Sequence, residues 1–205
     1  MRVRELAITA AIAASAVALP IAARAEPRFD ASAFVGVDWF GARNALGNSY
    51  APEQVPGTSI VVGARLGWLA LPALTEHLQL ALEAELGFAP AFTGSSAASG
   101  RAMYFAPVFE WRGHALLRFT RWRRFAPHVV LGGGADTVAS RSPFMSTDTS
   151  PIAYWGPGFS AAVGGGWQLR VELHHGVMPA RNGGMLSTAE VEIGIGTTFG
   201  APNVV

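Results

Sequence analysis

Apolar and polar residues alternate along much of the chain, most regularly in HLQLALEAELGF at 77–88. One parity is apolar from Leu78 to Phe88, and the other carries His77, Gln79, Glu83 and Glu85. A period of two predicts a β-strand with one apolar face and one polar face. The pattern alone leaves two orientations open. The leucines would be buried in a soluble sheet, but they would face lipid in a membrane barrel.

The same alternation predicts eight strands, at 33–43, 58–70, 77–88, 108–120, 125–138, 158–168, 169–178 and 188–199. Long connections follow the first, third and fifth strands, and PARNGGML precedes the last one. Short connections are expected around Pro72, at TRWRRF and at Trp167-Gln168-Leu169. Strands joined by alternately long and short connections predict an all-β, eight-stranded antiparallel up-and-down barrel. Outer-membrane barrels show this asymmetry between their two ends.

Aromatic residues near the predicted strand ends favour the membrane orientation. One row lies at the end with short turns: Trp68, Phe119, Trp167 and Phe199. A second row is predicted at the opposite end: Trp39, Phe88, Phe109, Trp111 and Phe159. All of them share the parity of the apolar face, and two aromatic rows around an aliphatic band are typical of membrane interfaces. We therefore predict a transmembrane β-barrel whose apolar face points to lipid.

The opposite parity then lines the lumen. It carries intermixed acids, arginines and histidines: Asp38, Arg65, Glu83, Glu85, Glu110, Arg112, His114, Arg118, His128, Asp136, Arg170, Glu172, His174, Glu190 and Glu192. The interior of an eight-stranded barrel is small enough for side chains to fill it. Buried charges are costly unless they are paired and hydrogen-bonded. The sequence therefore predicts a network of arginines and carboxylates that plugs the lumen.

The N-terminus has the form of a secretory signal peptide. Arg2 and Arg4 precede the apolar run LAITAAIAASAVALPIA, and Ala23-Arg24-Ala25 matches an A-x-A cleavage site. We expect cleavage after Ala25, export, and a barrel domain at 26–205 in the outer membrane of a Gram-negative bacterium. An uncleaved anchor is the alternative, and the short run broken by Pro20 disfavours it.

Composition narrows the possible functions. Charged residues make up 14% of the 205 residues and the formal net charge is +1, which argues against a nucleic-acid surface. Cysteine is absent, which excludes disulfides, thiolate metal sites and a cysteine nucleophile. The basic segment RFTRWRRF at 118–125 suits phospholipid headgroups at a membrane surface, with Trp122 at the interface.

Three segments carry a family resemblance: FAPHVVLGGGADTV, PGFSAAVGGGWQLRVELHHGV and EVEIGIGTTF. They resemble the C-terminal half of OmpA-like and OmpX-like eight-stranded outer-membrane barrels, with Pro127, the glycine runs 132–134 and 164–166, and Arg170-Val171-Glu172 at the matching places. The last strand also resembles the signal read by the outer-membrane assembly machinery, through Glu192, Gly194 and Phe199. It departs at Thr197 and in the GAPNVV that follows the phenylalanine. The resemblance implies the barrel fold and no specific activity.

Two other classes of protein remain alternatives. Lipid A deacylases are also eight-stranded barrels, with His-x-Ser-Asn on the seventh strand, and LHHGVMPARNGG resembles that region. Their chemistry needs a serine two residues after the histidine. Gly176 and Val177 occupy the corresponding positions, so we predict no catalytic residues. A soluble periplasmic lipocalin-like ligand-binding barrel is the third class, and the paired aromatic rows disfavour it.

Histidines raise the question of a metal site. His174 and His175 are adjacent in a predicted strand, so they point to opposite faces and cannot bind one ion together. His114 and His128 could meet in the lumen, but hydrogen-bonded partners in the charge network are the favoured interpretation. The sequence thus predicts neither a metal nor a cofactor.

The role expected from the sequence is structural, surface interaction or narrow permeation. We expect a monomer that contacts outer-membrane lipid and lipopolysaccharide, meets the assembly machinery through its last strand, and binds no nucleic acid. External function would lie in the long loops. The segment SRSPFMSTDTSPIAYWGPG at 140–158, with Phe144, Met145, Tyr154 and Trp155, is predicted to be such a loop.

Overall fold

Eight antiparallel strands close into a barrel in the computed structural model, which describes residues 28–51, 53–122 and 124–200. The strands are β1 (Arg28–Trp39), β2 (Ser59–Thr75), β3 (Leu78–Ala89), β4 (Val108–Phe119), β5 (Phe125–Val138), β6 (Asp148–Gly164), β7 (Trp167–Pro179) and β8 (Met185–Gly200). Each strand pairs with its neighbours in sequence, and β1 closes the barrel against β8. The predicted up-and-down barrel is confirmed.

The predicted signal peptide at 1–25, with its cleavage residues Ala23 and Ala25, lies outside the described residues. Within the described ranges, a 3-10 turn at Leu46–Asn48 is the helical element, and no helix there is long and apolar enough to cross a membrane.

The alternation in HLQLALEAELGF places its acids inside the barrel. Glu85 is 1% exposed, whereas its neighbour Leu86 is 56% exposed. The same pattern holds in β4, where Glu110 is buried and Trp111 is exposed. Successive side chains of a strand point to opposite faces, so the polar parity fills the interior and the apolar parity covers the outer surface.

The predicted bounds of β5 (Phe125–Val138) match the structure, those of β3 differ by one residue at each end, and those of β4 differ by one residue at the C-terminal end. β1 (Arg28–Trp39) begins and ends earlier than the predicted 33–43. The turn predicted around Pro72 is wrong, because β2 continues to Thr75 through two register shifts against β3. Proline lacks the backbone donor that a ladder needs, which made Pro72 a poor strand residue by sequence rules.

The largest error concerns β6, which starts at Asp148 and not at 158. Residues 148–157 were predicted to be loop because Pro151 and Pro157 interrupt them, yet both prolines have register partners on β5. Tyr154 therefore lies buried in the lumen, and Trp155 lies on the outer surface beside His175, with 4.9 Å between ring centroids.

The longer β6 also corrects the aromatic rows. Phe159 was predicted at the long-loop end, and that position is wrong. It lies towards the other end of β6, where its ring stacks on Phe125, the first residue of β5, at 5.5 Å. The reversal predicted at Trp167-Gln168-Leu169 is wrong as well. The chain turns at Gly165-Gly166, whose φ angles of 61° and 81° suit glycine in a two-residue hairpin.

The long connections, 40–58, 90–107, 139–147 and 180–184, all lie at one end and pack together. Gln54 donates to the carbonyls of Gly94 and Ala102, and it accepts from the Ser142 hydroxyl at 2.9 Å. An apolar cluster joins the loops to the barrel mouth: Phe34, Phe40, Leu46, Val61, Ala89, Ala91, Ala106, Val108, Val138, Met145 and Met178. The loops thus form an ordered cap over this end of the barrel.

Candidate functional site: the charged lumen

The predicted lumen residues all lie on the inner parity of their strands. Asp38, Arg65, Glu83, Glu85, Glu110, Arg112, His114, His128, Asp136, Arg170, Glu172, His174, Glu190 and Glu192 are buried. Arg118 is only half-buried, at the end with short turns. The charges fall into two groups, which we name by their nearer end of the barrel. The turn-side group centres on Arg65 and Arg170, and the loop-side group centres on Arg112.

Arg65 connects four strands of the turn-side group. Its Nε donates to Oε2 of Glu85 at 2.6 Å, and its Nη1 lies 3.2 Å from Oε2 of Glu172. Its Nη2 donates to Glu192, and the Phe34 ring lies 4.3 Å from the guanidinium carbon. Charge-assisted hydrogen bonds of this kind are stronger than neutral ones. One side chain therefore crosses the lumen between β2 and β7.

Arg170 and three histidines complete the turn-side group. Arg170 donates from Nη1 to Glu83 at 2.9 Å and from Nε to Glu172 at 2.8 Å. His114 lies between Glu83, at 2.8 Å from Nε2, and the Tyr154 hydroxyl, at 2.7 Å from Nδ1. Each acid of this group therefore has a cationic or histidine partner. Tyr154 was missed as a site residue because its strand was predicted to be a loop.

His128 has a serine beside it, which raises the question of a hydrolytic triad. Its Nε2 lies 2.7 Å from Glu172, and its Nδ1 lies 3.5 Å from the Ser160 hydroxyl. However, Nδ1 is closer to the Ala126 carbonyl, at 3.2 Å. A general base needs a close contact with the serine hydroxyl, and here Nδ1 lies nearer to a backbone carbonyl than to Ser160. The arrangement fits a structural network.

The position equivalent to a deacylase nucleophile offers no hydroxyl. His174 is buried between Glu172, Glu190 and Glu192. Gly176 and Val177 follow it, and a Cβ added at Gly176 would meet the Thr188 side chain. His114 and His128, which could have met at a metal, each contact a different glutamate, and His175 faces outward beside Trp155.

The loop-side group is unbalanced. Arg112 lies within 4.0 Å of five carboxylates: Asp38, Glu85, Glu110, Asp136 and Glu190. All of these side chains are almost completely buried. Both carboxylate oxygens of Glu110, Oδ2 of Asp38 and Oε1 of Glu190 make no hydrogen bond within the described residues. This is the part of the lumen that ordinary ion pairing leaves unexplained.

The predicted girdle residues lie on the outer face. Trp39, Trp111, Phe119, Trp167 and Phe199 are exposed, and Trp68 and Phe88 are half-buried. Trp68 lies well inside β2 because that strand continues to Thr75, but its register partner is Phe29, near the start of β1. Phe29 also stacks on Phe199 at 5.9 Å.

Solved structures of outer-membrane barrels share this fold. Neisserial surface protein A aligns with a TM-score of 0.51 and 11% identity over 84% of this chain and 97% of that one. Ail, the attachment invasion locus protein of Yersinia pestis, in complex with the heparin analogue sucrose octasulfate, aligns with a TM-score of 0.51 and 7% identity over 85% of this chain and 99% of that one. No protein-family model and no curated protein matches the chain. At these identities the likeness shows the fold alone.

Proposed function

We propose that this eight-stranded barrel is a non-conducting outer-membrane protein of a Gram-negative bacterium. We propose further that the protein acts at the cell surface through its loop cap. Membrane insertion is supported by the outer face, where Leu66, Leu86, Leu131 and Ile193 are more than half exposed. That much apolar surface is unfavourable in water and favourable against lipid.

The observation that carries the non-conducting role is the reach of Arg65 across the lumen. Arg65 contacts carboxylates on β3, β7 and β8 at once. The loop-side group and the apolar cluster at the barrel mouth lie between Arg65 and the loops. An ion crossing the barrel would have to displace paired, buried charges. A lumen closed in this way favours surface interaction over permeation, and Gly176 and Val177 argue against lipid A hydrolysis.

The proposal includes the partners expected for such a barrel. Lipid and lipopolysaccharide would contact the outer face, and β8 (Met185–Gly200), which closes the barrel against β1, would present Glu192, Gly194 and Phe199 to the assembly machinery. A monomer suffices for this arrangement because the ladder between β1 and β8 leaves no open sheet edge.

The absence of native cysteine allows a direct topology test. Met103, 61% exposed in the loop 90–107, is replaced by cysteine in one variant, and Glu76, in the turn between β2 and β3, in another. A membrane-impermeant maleimide added to intact cells should label M103C and leave E76C unlabelled until the outer membrane is permeabilised. Equal labelling of both variants in intact cells would contradict the proposed orientation.

Conductance tests the closed lumen separately. The purified barrel in planar bilayers should show no steady large-conductance channels, because charged side chains span its interior. Steady channels in the wild-type protein would overturn the non-conducting part of the proposal. They would favour narrow permeation, which the sequence also allows.

A further inference from the structure

The two charge groups of the lumen are balanced very differently. In the turn-side group, Arg65, Arg170 and three histidines face Glu83, Glu172 and Glu192, and Glu85 bridges to the loop-side group. In the loop-side group, Arg112 is the cation shared by Asp38, Glu110, Asp136 and Glu190, with His174 3.7 Å from Glu190 at its edge. Burial makes such an acid excess strongly unfavourable unless another cation compensates it.

Three of these carboxylates converge on one point from different strands. Asp38 on β1, Glu110 on β4 and Glu190 on β8 each place an oxygen within 4.8 Å of the other two. This spacing suits oxygen ligands around one metal ion, since Ca²⁺–O distances are about 2.3–2.6 Å and opposite ligands are about twice as far apart. The strands hold the three side chains at fixed inner positions of the barrel wall.

Glu110 provides an independent sign of a missing partner. It is 1% exposed, and neither of its oxygens makes a hydrogen bond within the described residues, although Arg112 Nη2 lies 3.2 Å from Oε1. Asp136, which is outside the three converging acids, also has an unbonded buried oxygen, Oδ2. A buried carboxylate without donors is unfavourable, and a metal ion would satisfy it.

We propose that Asp38, Glu110 and Glu190 bind one hard divalent cation, Ca²⁺ or Mg²⁺. A site made of oxygen ligands alone selects this class over zinc or copper, which favour nitrogen and sulfur. Arg112 lies within 4.0 Å of all three carboxylates, and its own charge limits the affinity for the ion. The ion links β4 to β1 and β8, which lie across the lumen from it.

A second group of possible ligands is less suitable. Glu172, His174 and Glu192 also lie within 4.8 Å of one another. However, Arg65 already occupies Oε2 of both glutamates through Nη1 and Nη2. A cation there would compete with a guanidinium that contacts both glutamates, whereas at Glu110 the guanidinium of Arg112 lies 3.2 Å from Oε1 and neither oxygen makes a hydrogen bond within the described residues.

The position of the site predicts how the ion enters. The next inward residues towards the loops are Phe40 after Asp38, Val108 before Glu110 and Thr188 before Glu190, two apolar residues and one polar residue, and all three are buried. This layer separates the three carboxylates from the loop cap, so we expect the ion to be taken up during folding and released slowly. Metal binding to such a site contributes to the folding free energy.

The test uses the full chain, purified from outer membranes in detergent, unfolded in urea with a chelator, and refolded with Ca²⁺, Mg²⁺, Mn²⁺ or no divalent ion. Metal content after desalting is measured by mass spectrometry, and Mn²⁺ is also followed by electron paramagnetic resonance. We expect one tightly bound ion per barrel and a higher unfolding temperature in its presence. The proposal would be overturned by a folded barrel that retains no ion and whose unfolding temperature is the same with Ca²⁺, Mg²⁺, Mn²⁺ or no divalent ion. In that case bound protons would compensate the excess of acids.

Matched variants separate the site from adventitious binding to detergent or lipopolysaccharide. Glu110→Gln keeps the shape of the side chain and should weaken binding at least about tenfold, the lower end of what changes outside the ligand shell produce. Glu53→Gln removes a carboxylate from the loops and should leave one ion bound. Equal metal content in E110Q and wild type would overturn the site. If E110Q does not fold, the wild-type measurement alone still decides.

Discussion

Arg65 on β2 and Glu85 on β3 are register partners, and the arginine donates from Nε to Oε2 of the glutamate at 2.6 Å. The same guanidinium reaches Glu192 on β8 and Glu172 on β7, which lie two and three strands from β2 in the closed barrel. A neighbouring-strand pair thus becomes a connection across the lumen. This relationship determines which substitutions inside the barrel should be severe and which should be mild.

Replacing Arg65 with methionine would leave three buried carboxylates without their shared cation. Removing one partner from a buried ion pair typically costs about 3–5 kcal/mol. We expect a loss of this size in equilibrium urea unfolding, followed by tryptophan fluorescence in detergent. Arg141→Met, at an exposed loop residue, is the control and should change stability by less than about 0.5 kcal/mol. Equal stability of the two variants would show that the lumen network contributes little.

Tyr154→Phe tests the part of β6 that was predicted to be loop. The hydroxyl contacts Nδ1 of His114 at 2.7 Å inside the lumen. Its removal leaves a buried ring nitrogen without a partner, which should cost about 1–3 kcal/mol. Tyr50→Phe, on a loop side chain that is mostly exposed, should have no measurable effect. The same urea titration compares the two, and a neutral Y154F would place Tyr154 outside the network.

Gly134→Ala and Gly113→Ala form a matched pair on neighbouring strands. A Cβ at Gly134 would lie 2.8 Å from the Cα of Arg112 and closer still to the Trp111 carbonyl oxygen, so the backbone of β4 would have to move. A Cβ at Gly113 would have its nearest neighbour at 3.7 Å. We expect G134A to lose about 1–3 kcal/mol or to fold poorly. G113A should fold normally, and the yield of heat-modifiable barrel measures both outcomes.

Leu131→Arg distinguishes a lipid-facing wall from a water-facing one. Leu131 is 66% exposed, so arginine would be tolerated on a soluble barrel. In a bilayer the same change costs about 2–4 kcal/mol near the midplane. We expect L131R to lower stability in lipid vesicles by that order, while Met103→Arg in the loop cap leaves it unchanged. A neutral L131R in vesicles would argue that this face does not contact lipid.

The contact between two loops should depend on pH. Arg101 donates a hydrogen bond to Glu53 and holds the pKa of that carboxyl below its ordinary value of 4.5, with help from Ser99. A lowered folded-state pKa means that the contact stabilises the loops above about 4.5 and is lost as pH falls through the lowered value. Arg101→Gln should raise the Glu53 pKa in an NMR titration, and Arg141→Gln should not. Identical titrations in both variants would contradict the pairing.

Sequence periodicity was sufficient for the fold and for the identity of the inner face. β5 (Phe125–Val138) could be predicted to the residue because His128 and Asp136 share one parity around a run of apolar residues and glycines, and polar connections flank the strand. Pro151 and Pro157 concealed the first half of β6 because sequence rules treat proline as a strand breaker, although a long barrel strand accommodates both. The same bias shortened β2 at Pro72.

The partners inside the lumen could not be predicted from periodicity. Alternation shows that Arg65, Glu172 and Glu192 share the inner face, but their meeting depends on the relative stagger of strands that are distant in sequence. The convergence of Asp38, Glu110 and Glu190 was missed for the same reason, since their strands are β1, β4 and β8. The sequence shows more acids than arginines on the inner parity of the strands. That excess was the one signal from which a cation site could have been predicted.

Electrophoresis tests most directly whether the barrel is closed with its leucines against lipid. The full-length chain is expressed in a Gram-negative host, outer membranes are isolated, and unboiled and boiled samples are compared in SDS. We expect a band in the outer-membrane fraction whose mobility shifts on boiling, because a closed barrel resists the detergent until heated. A soluble periplasmic protein whose mobility does not change on boiling would contradict it.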